Sequence, residues 1–132
     1  MKSKAFISYS YVNKAEFKLF DIKLRNFLAK ELQINSYSFV FDYKEKTNYK
    51  SLMNAALKKI DDSDLLIAEL SYKSIGIGIE VGYAKAKNKK IIYIHKKGTE
   101  VSTTVSGVCD IRIEYEDIED LFIKMKEVIT KK

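Results

Sequence analysis

The chain has no proline, no tryptophan, one cysteine, one histidine and five glycines in 132 residues. The single cysteine, Cys109, excludes an internal disulfide. With His95 as the lone imidazole, no spacing resembles a zinc or iron site, and we expect neither a metal nor another cofactor. No apolar run approaches membrane-spanning length, and MKSKAFISYS lacks the apolar stretch of a signal peptide. The expectation is a cytoplasmic protein with no membrane partner. Helix-turn-helix, zinc-finger and RNP-like patterns are also missing. The net charge of +6 therefore reads as a lysine-rich solvated surface rather than a nucleic-acid groove, because the lysines are interleaved with acids throughout. The same surplus suits a small phosphorylated substrate.

What is present is ordinary globular material: 46% apolar and 32% charged residues, in a length that fits one domain spanning 1–132. Lys4 to Ser10 is β-branched and aromatic and reads as a strand. Asn13 can cap a helix over Lys14 to Leu32, where Phe17, Phe20, Leu24, Phe27 and Leu28 recur at helical spacing. Ser38 to Tyr43 reads as a second strand, and Asn48 to Ile60 as a helix burying Leu52, Ala56 and Ile60. Asp64 to Leu70 is a nearly unbroken apolar run, as in a strand covered on both faces. A helix to about Asn88, a buried strand at Lys89 to His95, a polar segment, a strand at Cys109 to Tyr115 and a closing helix after Asp117 complete the chain. Alternating strands and helices predict a three-layer α/β sandwich. The expected topology is flavodoxin-like, with five parallel strands in the order 2-1-3-4-5.

Three of the five glycines, Gly76, Gly78 and Gly82, surround Glu80 in SIGIGIEVGYA, directly after the Asp64 to Leu70 run. Each costs roughly 0.5–1 kcal/mol relative to alanine inside regular structure, so something offsets them. In such sheets ligands bind beyond the carboxyl ends of the strands, and these ends carry Ser8, Tyr9 and Ser10 on one side and Glu69 to Glu80 on the other. The spacing is wrong for a dinucleotide fingerprint, and no lysine and hydroxyl residue follow as in a Walker loop. What remains is a backbone loop entering a helix N-terminus, with Ser74 before it and Glu80 about a turn inside. Free amides there favour phosphate. A carboxylate held over that loop is placed to attack a sugar C1′ as its base departs. Glu69, at the same strand end, is a candidate second carboxylate for acid–base work or a cap on the turn amides.

The stretch IDDSDLLIAELSYKSIGIGIEVGYAKAKNKKIIYI resembles the core of the nucleoside 2-deoxyribosyltransferase family, including its deoxynucleoside monophosphate N-glycosidase branch. The shared pattern is a buried strand, an acid–hydroxyl turn, S-x-G-x-G-x-E-x-G-x-A and a further strand. The resemblance implies that Glu80 is the nucleophile, that Ser74 binds a 5′-phosphate, and that Gly76 and Gly78 shape the pocket. It also implies a homodimer in which Ser102, and with it Thr103, reaches a phosphate across the interface. Two positions depart from the family. Phe6 stands where a first-strand tyrosine orients the nucleophile, leaving Tyr9 as the nearby substitute. Ala56 stands near the family's aspartate, with Asn54, Asp61 and Asp62 as open replacements.

FISYS, VFDY and SDLLIAELSYKS also resemble a bacterial TIR domain, whose enzymatic members cleave the nicotinamide bond of NAD; the usual tryptophan–cysteine pair is absent. Both resemblances place the glutamate at Glu80. The sequence thus points to a glycosidase or glycosyltransferase acting on a nucleoside, nucleotide or NAD. Glu80, Glu69 and Tyr9 are its candidate catalytic residues, and Ser8, Ser10, Ser74, Gly76, Gly78, Ser102 and Thr103 its candidate substrate contacts. The alternative of another class is a nucleotide-sensing or docking module without turnover.

Overall fold

In the computed structural model, which describes residues 3–45 and 47–130, five parallel strands run in the order β2-β1-β3-β4-β5. They are β1 (Ser3–Ser8), β2 (Ile34–Ser38), β3 (Leu65–Glu69), β4 (Lys90–Lys96) and β5 (Ile111–Tyr115). Six helical segments connect and cover them: α1 (Lys18–Leu32), a turn α2 (Phe39–Asp42), α3 (Tyr49–Asp61), α4 (Ile75–Ala86), a turn α5 (Thr103–Ser106) and α6 (Ile118–Thr130). The expected α/β architecture and flavodoxin-like strand order are both what the fold gives.

The hydrophobic pattern explains the layers. β3 is buried at every position, and its side chains alternate between two cores. Leu65 and Ile67 pack with Leu24 and Leu28 of α1 and Leu121 and Met125 of α6. Leu66 and Ala68 pack with Ala56 and Ile60 of α3 and Ile77, Val81 and Ala84 of α4. A side-chain cap starts α3, where Asn48 accepts from the Ser51 amide at 2.8 Å. Asn13 departs from that pattern. It precedes a 3-10 turn (Lys14–Phe17) without capping it, and its Oδ1 accepts from Ser10 Oγ at 2.8 Å instead. Leu52 is only partly buried.

The second strand needs correction. The sequence places it at Ser38 to Tyr43, whereas the chain pairs the polar INSYS segment with β1, from Ser3 opposite Ile34 to Ile7 opposite Ser38, and coils Phe39–Asp42 into a helical turn. Asp42 explains the turn, since its carboxylate accepts from the Ser38 amide at 3.0 Å and from Arg25 at 2.8 Å. The aromatic residues of FVFDY then serve both faces. Phe39 stacks 6.3 Å from Phe6, and Phe41 meets Tyr9 edge-on at 5.4 Å. Among the described residues no helix is long and apolar enough to cross a membrane.

Candidate active site

Side-chain alternation decides which residues can meet at the carboxyl edge of the sheet. In β1, Ile7 and the following Tyr9 belong to the α1/α6 core and Phe6 to the α3/α4 core, so Ser8 shares the face of Phe6. Glu80 sits in the second turn of α4, next to Val81, which packs on that same face. Ser8 Oγ donates to Glu80 Oε1 at 2.7 Å, across 72 residues of sequence. Burial pushes the Glu80 carboxyl from its ordinary 4.5 up to about 7, and the Ser8 hydrogen bond acts the other way. The pair joins the strand end to the glycine-rich helix.

Tyr9 and Glu69 do not join them. Tyr9 donates to Asp21 at 2.8 Å, inside the α1/α6 core. Glu69 follows Ile67 on that face too; it accepts from the Ser71 amide at 2.8 Å, from Ser71 Oγ at 2.7 Å and from the Tyr115 hydroxyl. The expected grouping of Glu80, Glu69 and Tyr9 at one mouth is therefore corrected. A step of one residue along a strand sends a side chain to the opposite face. The hydroxyl that meets Glu80 is that of Ser8, two residues beyond Phe6 on the same face, and the period-2 rule applied to β1 is the signal that identifies it. Of the replacements considered for Ala56, Asp61 accepts from Tyr83 at 2.8 Å near the far end of α4, and Asn54 and Asp62 are exposed.

The remaining substrate candidates divide. Ser74 caps α4, accepting from the Ile77 amide at 3.3 Å, and Ser102 caps α5, accepting from the Val105 amide at 3.1 Å. Together with Gly78 and Thr103 they line a cleft of about 480 Å³, walled by the β3–α4 and β4–α5 loops of one chain. Gly76 lies outside that lining, and a Cβ there would stand 3.7 Å from Ser74 Oγ, an ordinary van der Waals contact. Ser10 is turned back to Asn13 in its own loop. Glu80 itself does not line the cleft, since its carboxylate points from α4 to Ser8. Three arrangements were not foreseen: a Lys73–Glu100 ion pair at 3.1 Å beside the cleft, the Asp21–Ser38 hydrogen bond and the Tyr115–Glu69 hydrogen bond. Each joins residues distant in sequence with no local signal. Among the described residues no group of three or more His, Cys, Asp or Glu side chains is placed to hold a metal.

No protein-family model matches the chain. Over 75 residues it is 36% identical to a Syntrophotalea carbinolica protein named as a 2′-deoxynucleoside 5′-phosphate N-hydrolase, covering 54% of this chain and 53% of the relative. A protein of the same name from Thermofilum pendens is 23% identical over 95 residues, covering 68% and 66%. The chain thus spans about half the length of the first relative and just under two thirds of the second. Its fold matches the CMP N-glycosidase of Clostridium botulinum with a TM-score of 0.69 at 21% identity, covering 94% of this chain and 98% of that one. The 2-deoxyribosyltransferase of Bacillus psychrosaccharolyticus follows the same fold, with a TM-score of 0.66 at 15% identity and coverage of 91% and 90%. The resemblance to nucleoside 2-deoxyribosyltransferases is borne out. It holds in sequence through the N-hydrolase relatives and in fold through the solved structures.

Proposed function

We propose that the protein cleaves the bond between base and sugar in a nucleoside or nucleotide, with Glu80 as nucleophile. The observation that carries this reading is the half-buried hydrogen bond from Ser8, at the carboxyl end of β1, to Glu80, the glutamate of the S-x-G-x-G-x-E motif. The C1′–N bond breaks as a Glu80 oxygen bonds to C1′. The base leaves with the bonding electrons and takes a proton from solvent or an acid. Water then attacks C1′ and displaces Glu80, or a second base does so and completes a transfer. The attacking form is the carboxylate, so turnover rises with pH through about 7. Ser8 orients the nucleophile; Ser74, Ser102 and Thr103 receive the phosphate end, with Gly78 leaving the approach open and Gly76 beside the Ser74 cap. Glu69 and Tyr9 stiffen the loops from the other face. The 132 residues act as one such domain, with cytoplasmic nucleotides as the substrate pool and no cofactor.

A homodimer goes with this reading. On α4, Ile75 and Ile79 are 85% and 50% exposed, and a Cβ built on Gly78 or Gly82 would meet nothing within 4 Å. That apolar stripe supports a second copy packing on the helix that carries Glu80. The test of function is to incubate the full chain with deoxynucleoside monophosphates, ribonucleotides, nucleosides and NAD, and to follow free base by chromatography. Release from a nucleotide or nucleoside is the expected result. Release from NAD alone favours the TIR-like chemistry, and binding without release favours a sensor.

A further inference from the structure

We propose that Lys73 and Glu100 form a charge gate on the cleft between α4 and α5, in which the Glu100 carboxylate holds Lys73 until a substrate phosphate takes its place. The inference rests on the reading of that cleft as the phosphate end of the site. Lys73 leads into α4 on one wall, Glu100 leads toward α5 on the other, and their Nζ and Oε1 atoms lie 3.1 Å apart. They are the two charged side chains of the lining.

The rest of the cleft is rich in donors. The Ser74 and Ser102 hydroxyl oxygens each accept a helix amide, which leaves both O–H groups free to donate, and Thr103 and Thr104 add two hydroxyls. Among the described residues no protein acceptor is bonded to these hydroxyl hydrogens. A phosphate monoester supplies what is missing, with several acceptor oxygens and a charge larger than that of one carboxylate. The ion pair it must break is exposed, at 63% and 76% for the two side chains, and such pairs are weak. Phosphate can therefore exchange for Glu100 at little cost, whereas an unphosphorylated nucleoside has nothing to offer Lys73. The gate thereby selects for phosphorylated substrates.

The test is to titrate the full-length protein with inorganic phosphate and with deoxyribose 5-phosphate by calorimetry, in wild type, Glu100→Gln and Lys73→Gln, and to measure KM for a deoxynucleoside monophosphate and its nucleoside. Both residues are exposed, so the variants fold. Removing the internal competitor is expected to tighten phosphate binding about 3–10-fold, and removing the cation to weaken it about tenfold, the scale of one charge-assisted contact. The nucleoside KM should stay put in both. Unchanged phosphate affinity in both variants overturns the gate, and so does a wild type that binds neither ligand. The two readings separate cleanly. Base release that is indifferent to both substitutions leaves the glycosidase standing and removes the gate. Phosphate affinities that shift as stated without base release keep the gate and remove the glycosidase.

Discussion

Two carboxylates lie at the same edge of one sheet, on opposite faces, Glu69 buried and Glu80 half-buried, and their surroundings differ. Glu69 receives three hydrogen bonds, from the Ser71 amide, Ser71 Oγ and Tyr115. Glu80 receives one, from Ser8. Burial raises the carboxyl of each above the usual range, but only Glu69 has several donors to counter it. A carboxylate with its lone pairs engaged holds structure together. One that is half-buried with lone pairs to spare keeps its reactivity, and its incomplete solvation is a cost to the fold.

The contrast is broken most severely at Glu80. Glu80→Gln should lower base release by about a thousandfold or more, because an amide cannot form the ester with C1′. The same substitution should stabilise the fold in a pH-dependent way. A carboxyl whose folded value is raised from 4.5 to about 7 costs no stability below the lower value and progressively more as pH climbs to the upper one. At pH 8 the wild type should then lag Glu80→Gln by about 3 kcal/mol in denaturant unfolding, with the gap closing toward pH 4. At Glu69 the signs reverse. Glu69→Ala strands the Tyr115 and Ser71 donors and should cost about 2–3 kcal/mol of stability, while the protein that remains folded still releases base. Ser8→Ala should reduce turnover about tenfold, the scale of one hydrogen bond to a charged group, and move the rising limb of the pH profile upward, since Ser8 holds the Glu80 carboxyl down. Tyr9→Phe, the mildest change, should cost about 1 kcal/mol through the Asp21 hydrogen bond and leave turnover within about twofold of wild type.

Much of this contrast can be read from the sequence. The apolar runs at Leu65–Glu69 and Lys90–Lys96 announce buried parallel strands, and the glycines around Glu80 mark the helix beside the site. β2 escapes because an edge strand paired on one side tolerates a polar segment such as INSYS. The aromatic, β-branched FVFDY imitates a strand, while Asp42 and Arg25 hold it as a turn. The roles of Glu69 and Tyr9 depend on which face each occupies and on partners as remote as Tyr115, 46 residues away. Alternation along β1 and β3 supplies the face, but the partners appear only in three dimensions.

The central claim is tested most directly by trapping the sugar. A deoxynucleoside monophosphate analogue fluorinated at C2′ slows both steps by destabilising the oxocarbenium-like transition state, so that the glycosyl-enzyme accumulates. Peptide mass mapping should find one sugar phosphate on the peptide carrying Glu80, and none in Glu80→Gln. A label on any other residue, or an equal label in Glu80→Gln, would contradict the account.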